Sequence, residues 1–230
     1  MKILYEDNHI LVVVKPVGIP VQADKSGDQD MLSIVKEYIK VKYNKPNNVY
    51  VGLVHRLDRM VGGVMVFAKT SKAASRLSEY IREKNVKKRY LAILNNKLEK
   101  TDKDTSLSNY LIKDERLNMS RVTTKKTGKL AVLEYRVLKN FVYKNKEYTL
   151  VDINLQTGRH HQIRVQFANI SCPLYGDIKY GQKVNKVGQN LGLWSYYLSF
   201  FHPTKDEYLE FECMPFEYIN DLDEIWKVAK

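Results

Sequence analysis

The sequence predicts an α+β protein with a central mixed or mostly antiparallel sheet flanked by helices and loops. Segments with strand character outnumber those with helical periodicity. The strands follow one another in hairpin-like pairs, without the strand–helix–strand rhythm of a parallel sheet. The 230 residues are 44% apolar and 28% charged, enough core for one or two domains without disulfides or structural metal.

Ile3 to Tyr5 and His9 to Val14 read as a hairpin around Glu6-Asp7-Asn8. Lys15-Pro16 and Gly18-Ile19-Pro20 end it, because proline cannot donate to a strand ladder. Leu32, Val35 and Ile39 fall at helical spacing and predict a helix over Asp30 to Tyr43. Val51 to Val54 is a short strand, broken by the charged, glycine-ended His55 to Gly63 and resumed by Val64 to Ala68. Ser71 is the expected N-cap of a helix reaching Lys84, with Ala74, Leu77 and Ile81 buried. Arg89 to Leu94 is a strand and the polar Asn95 to Asp104 an exposed excursion. Leu130 to Leu138 and Tyr148 to Leu155 are strands, the second alternating apolar and polar residues. Gln156-Thr157-Gly158 then turns into a helix whose Ile163, Phe167 and Ile170 face a core. Leu193 to Phe201 and Tyr208 to Glu212 are late strands, and Ile219 to Val228 is a closing helix.

Composition excludes several classes. The longest apolar runs, such as Ile10 to Val14, are far too short to span a bilayer. Met1 to Pro16 carries Glu6, Asp7 and Lys15 and lacks a small-residue cleavage site, so no signal peptide is expected. The expected location is the cytoplasm, away from membranes. Cys172 and Cys213 are the only cysteines, too few for a thiolate zinc site, and read as reduced core residues. No glycine-rich dinucleotide or ATP loop, no HExxH and no GxSxG occurs. No cofactor or metal is expected, and an enzyme reading must rest on side chains.

Charge is unevenly placed. Residues 205–230 hold eight acids and three bases, while the first 204 carry 35 bases against 18 acids, a net of +17. A basic body suits a polyanion such as RNA, although a lysine-rich solvated surface has the same arithmetic.

Three segments carry chemical potential. His55-Arg56-Leu57-Asp58-Arg59 sets an acid between two arginines in a loop between apolar strands. Flanking cations favour the carboxylate form, and an ionised carboxylate can act as a nucleophile or stabilise a developing cation. Standing alone, the segment would read as a surface ion pair in a turn. Thr157 to Arg164 is the second. With Thr157 as helix cap, Arg164 lies beside His160 and His161 and away from the buried stripe, able to reach a carboxylate bidentately. The two histidines lack a supporting third ligand and read as a solvated or hydrogen-bonded pair. The third, Lys87-Lys88-Arg89-Tyr90, places an aromatic after a cluster of bases, which suits a nucleobase stacked beside phosphates. On its own it reads as a core tyrosine.

Together these segments resemble the RluA-type family of RNA pseudouridine synthases. The match runs from Asp7 through Lys15-Pro16 and Val54-His55-Arg56-Leu57-Asp58-Arg59 to Val66-Phe67-Ala68-Lys69-Thr70. It continues through Arg89-Tyr90-Leu91-Ala92, Thr157 to Val165, Gly176-Asp177-Ile178-Lys179-Tyr180-Gly181, and Phe201-His202-Pro203. The resemblance implies the pseudouridine synthase catalytic fold, with its active-site cleft across the sheet, as a single domain over residues 1–230. An N-terminal S4-like domain is not expected. It implies isomerisation of uridine in ribosomal or transfer RNA. Nothing in the sequence demands more than a monomer, and no obligatory protein partner is expected. Asp58 would be the nucleophile, and Tyr90 the ring that stacks on the uracil and assists proton removal at C5. Arg164 would pair with Asp58, Ile163 would line the pocket, and Arg56 would enter the helix vacated by the flipped nucleotide. Flipping a base costs a few kcal/mol of stacking, which an inserted guanidinium partly offsets.

The chain also departs from the family's pattern. Met60-Val61-Gly62-Gly63 replaces the usual Thr-Ser-Gly, Gln166 stands where histidine is frequent, and Trp194-Ser195 replaces His-Ala. These changes motivate an alternative, an RNA-binding or RNA-folding protein of the same fold with impaired catalysis. A glycoside hydrolase fits poorly, since no second acid accompanies Asp58 in these motifs.

Overall fold

The computed structural model describes residues 1–101 and 103–230, with the backbone alone at 219–221. Asp102, inside the expected excursion, lies outside the described residues. In chain order the elements are β1 (Lys2–Glu6), β2 (Ile10–Lys15), α1 (Met31–Lys42), β3 (Gly52–Leu53), β4 (Gly62–Ala68) and α2 (Ser71–Arg82). There follow β5 (Lys87–Asn95), β6 (Thr105–Asp114), β7 (Met119–Thr123), β8 (Lys129–Tyr143), β9 (Lys146–Leu155) and α3 (Gln162–Asn169). The chain closes with β10 (Leu193–Phe201), β11 (Tyr208–Glu212), a kinked 3-10 segment Pro215–Asp221 and α4 (Ile225–Ala229). The class is α+β. Among the described residues no helix is long and apolar enough to cross a membrane.

The chain forms two compact units. The first comprises Met1–Val86 and Ser195–Cys213. Its strands run in the order β1-β2-β4-β10, with β3 added to β4 and β11 to β10. β1–β2, β2–β4 and β10–β11 are antiparallel. All six residues of β2 are buried, which explains an unbroken ILVVVK in place of alternation. Asp30 caps α1 by accepting from Ser33 N at 3.1 Å, and Met31, Val35 and Ile39 are buried, Leu32 only half so. In α2 the cap is Thr70, accepting from Ala73 N at 3.2 Å, rather than the expected Ser71. The buried stripe accordingly begins at Ala73 and continues at Leu77, with Ala74 and Ile81 half-buried. At the hairpin turn Asp7 Oδ1 accepts from His9 N at 2.7 Å and Ile10 N at 2.9 Å. Asp7 Oδ2 also receives the ring of His202 at 2.9 Å.

The second unit comprises Lys87–Trp194 and Met214–Lys230. Its strands run β5-β9-β8-β6-β7, every neighbouring pair antiparallel. Residues Tyr90, Ile153, Tyr135 and Leu133 share one face through the register Tyr90↔Ile153↔Tyr135. Helix α3 packs on that face, with Phe167 edge-on to Tyr135 at 5.1 Å and Val165 against Leu111 and Ala131. β8 is longer than expected and joins β9 through Lys144 and Asn145, both at positive φ, the geometry of a tight two-residue hairpin turn.

Three expectations are corrected here. Asn95 does not open an exposed excursion but ends β5, buried and bonded to Asn185 Oδ1 at 3.1 Å. Thr157 does not cap α3. Its hydroxyl donates to Gln162 Oε1 at 2.8 Å, and the helix begins only at Gln162, after His161 in the left-handed region. Ile219 to Val228 is not one helix, since the 3-10 segment ends at Asp221 and α4 starts at Ile225.

Candidate active site

Asp58 and Arg56 belong to the first unit, and Tyr90, Ile163 and Arg164 to the second. The loop joining β3 to β4 carries the first pair. Leu57, 7% exposed, anchors the loop in the core, so its neighbours on either side face outward: Arg56 exposed, Asp58 half-buried. The loop then tightens as Val61 N donates to Asp58 O at 3.0 Å. His55 Nε2 accepts from Val66 N at 3.1 Å, which places its proton on Nδ1. Arg56 has no hydrogen bond or ion pair among the described residues, leaving its guanidinium available to an outside partner.

The segment after β2 clamps this loop. Gly18 N donates to Arg59 O at 2.9 Å, and Arg59 Nε returns a bond to Gly18 O at 2.9 Å. The rest of the Arg59 guanidinium holds Ser26 Oγ at 3.1 Å and the carboxylate of Asp28. Arg59 is therefore a loop fastener. Beneath it lies Lys15, fully buried, donating to Pro16 O at 2.7 Å and Arg59 O at 3.0 Å. Burial pushes its ammonium down to about 7, opposed by the negative charge of Asp58 and reinforced by the positive charge of Arg59. The sequence assigns Lys15 no role at the site beyond its place in the Lys15-Pro16 segment that ends the strand and belongs to the family match. Its signal was a cation closing an otherwise apolar run.

In the second unit Tyr90 is 6% exposed on the α3-facing side of β5. Ile163 (5%) and Arg164 (8%) occupy the first turn of α3, where nearly every side chain is buried. Arg164 does not project away from the core as expected. Its Nε and Nη2 each bond Asp177 at 2.8 Å, one to each carboxylate oxygen. Asp177 Oδ1 also accepts from Lys179 N at 3.0 Å and Tyr180 N at 3.2 Å, so the turn after α3 holds the acid in place. The Tyr180 ring covers the guanidinium, 5.2 Å from its carbon. Tyr180 Oη accepts from Ser120 N at 2.7 Å and lies 2.9 Å from His161 Nδ1. Burial, then the charges of Arg164 and His160, push His161 down to about 2, so it stays neutral. His160 stacks on His161 at 3.8 Å and meets Ser120 Oγ at 2.9 Å, the hydrogen-bonded pair expected from the sequence.

Asp177 was not singled out from sequence as the partner of Arg164. Among the departures from the family pattern Met60 is exposed, whereas Val61, Gln166 and Trp194 are interior residues. Val61 is 2% exposed, and Trp194 is buried with its ring tilted against that of Tyr218 at 5.3 Å. Gln166 Nε2 donates to Asn109 Oδ1 at 2.9 Å and Leu107 O at 3.1 Å.

The family of RNA pseudouridylate synthases matches over residues 9–169, and the chain belongs to it. It is 35% identical over 221 residues to an uncharacterized RNA pseudouridine synthase of Aquifex aeolicus, covering 92% of this chain and 68% of that one. It is 35% identical over 211 residues to ribosomal large subunit pseudouridine synthase C of Buchnera aphidicola, covering 88% and 63%. The curated relatives are longer, the chain spanning between 50% and 68% of their length. The fold is similar to that of human RNA pseudouridylate synthase domain containing 1, with TM-score 0.75 and 23% identity over 96% of this chain and 86% of that one.

Proposed function

We propose that the chain isomerises uridine to pseudouridine in ribosomal or transfer RNA, with Asp58 as the nucleophile. The observation that carries the reading is a half-buried aspartate on a loop fastened by Lys15 and Arg59, in a chain of this family. Its relatives include enzymes named for the large ribosomal subunit.

The target nucleotide leaves its stack, and the exposed guanidinium of Arg56 fills the gap. The Asp58 carboxylate attacks, at C1′ or at C6, and the N1–C1′ bond breaks. The ring turns, C5 bonds to C1′, and the bond from Asp58 to C1′ or C6 breaks, which returns the free carboxylate. The C5 proton departs with the help of Tyr90, and N1 ends protonated. The exchange is redox-neutral and consumes no energy source. Ile163 lines the uracil pocket, and Arg164, aimed by Asp177, positions the site. The protein acts in the cytoplasm as a monomer, without an obligatory protein partner.

The test is pseudouridine mapping on RNA from cells lacking the protein, complemented with wild type or Asp58→Ala. Sites that vanish in the knockout and return only with wild type establish the activity and its target. A map unchanged by the knockout refutes it and moves the weight to an RNA-binding protein without chemistry.

A further inference from the structure

Lys88 stands on β5 two residues before Tyr90, so both side chains leave the same face of the strand, about 7 Å apart along it. It is half-buried between the exposed Lys87 and Arg89. Its ammonium reaches the loop that leads into α3, where a methyl group at Cβ of Gly158 would stand 3.9 Å from Nζ. Among the described residues Lys88 has no hydrogen bond and no ion pair, in contrast to Lys15, Lys42 and Lys69. The Gly158 N–H is likewise without a protein partner among the described residues, lying between Thr157 N, bonded to Val132 O, and Arg159 N, bonded to Gln162 Oε1. Burial holds the Lys88 ammonium below its ordinary value. A partly desolvated cation without a carboxylate is costly, and an anion arriving with the substrate removes that cost.

We propose that Lys88 and the backbone N–H of Gly158 form a phosphate-binding site for an RNA phosphodiester of the target nucleotide. The inference rests on the reading of Tyr90 as the ring that stacks on the uracil. A nucleotide spans from its base to its phosphate a distance comparable with that between Tyr90 and Lys88. Glycine at 158 lets a phosphate oxygen approach the N–H without a side chain in the way. An ammonium accepts any phosphate as a point charge and carries no sequence preference, so this contact positions the nucleotide and leaves target choice to other residues.

The experiment uses the full-length protein, isotopically labelled, titrated with inorganic phosphate while the Gly158 amide resonance is followed. In parallel, affinity for an unmodified large-subunit RNA transcript is measured at 50 and 200 mM salt. Lys88→Arg should keep the phosphate response, and Lys88→Gln should lose it. Raising the salt should weaken wild type about 3-fold more than Lys88→Gln, the signature of one fewer phosphate contact. Gly158→Ala, which meets no clash, should weaken phosphate binding with the fold intact. A wild-type phosphate response and salt slope in Lys88→Gln overturn the site. Failure of the enzymatic reading shows elsewhere, as a pseudouridine map indifferent to wild-type protein, so the two failures are distinguishable.

Discussion

Asp177 grips Arg164 through two parallel hydrogen bonds of 2.8 Å, with the acid fully buried and the arginine nearly so. Bidentate pairing fixes the plane of a guanidinium as well as its position, which a lysine or a single bond does not.

Replacing Asp177 with Asn keeps the shape but removes the charge and sets an amide N–H against the guanidinium. Removing one carboxylate from a buried ion pair costs about 3–5 kcal/mol. Asp177→Asn should therefore lower the urea midpoint markedly, and turnover should fall roughly 100-fold as Arg164 loses its aim, with KM little changed. Wild-type stability and turnover would count against the assignment.

Lys15 makes stability depend on pH on the alkaline side. Its folded value is about 7 against an ordinary 10.5, so between those limits the unfolded chain holds the extra proton. Stability then rises with pH across that window and is lowest, from this group, below pH 7. The neutral amine still donates to Pro16 O and Arg59 O, so the loop stays fastened. Wild type should gain stability relative to Lys15→Met between pH 7 and pH 10 in chemical denaturation. Parallel profiles for the two proteins would refute the depressed ammonium.

Gly63 has φ +120, and a Cβ there would lie 2.1 Å from the carbonyl oxygen of Ser195. Neither the backbone angle nor the space admits a side chain. Gly63→Ala should cost on the order of 4 kcal/mol or more, read as loss of soluble protein or a large drop in melting temperature. An unchanged melting temperature would contradict this packing.

The elements with strong patterning were legible in the sequence. The unbroken β2, the helical spacing in α1 and α2, and the alternation in β9 all predict what is found. The β6–β7 hairpin is not legible in the sequence, because Ser106 and Ser108 on β6 and Arg121 on β7 give it a polar exposed face. Its buried Leu111 recurs too seldom to mark a core. β8 was read short because a register shift between Val137 and Lys139 breaks its alternation. The start of α3 was misplaced because His161 takes a left-handed conformation that propensity does not anticipate. At the site, the segments that carry Asp58 and Arg164 stood out through their motifs, but the burial of Arg164 did not, since helical phasing from Thr157 turns it away from the core. Asp177 was not legible as the partner of Arg164, since a pair 13 residues apart across a helix and a turn leaves no periodic trace.

The order in which the chain leaves the ribosome gives the two-unit arrangement a further meaning. The first unit begins at Met1 yet is finished only by Ser195–Cys213, and the second, opened at Lys87, waits for Met214–Lys230. The first unit stays incomplete while Lys87–Trp194 of the second is being synthesised, and β4 lacks its β10 neighbour until Leu193–Phe201 has been made. A nascent chain stalled at residue 194 therefore exposes two unfinished sheets or cores at once, a natural client for chaperones that cover unpaired strand edges.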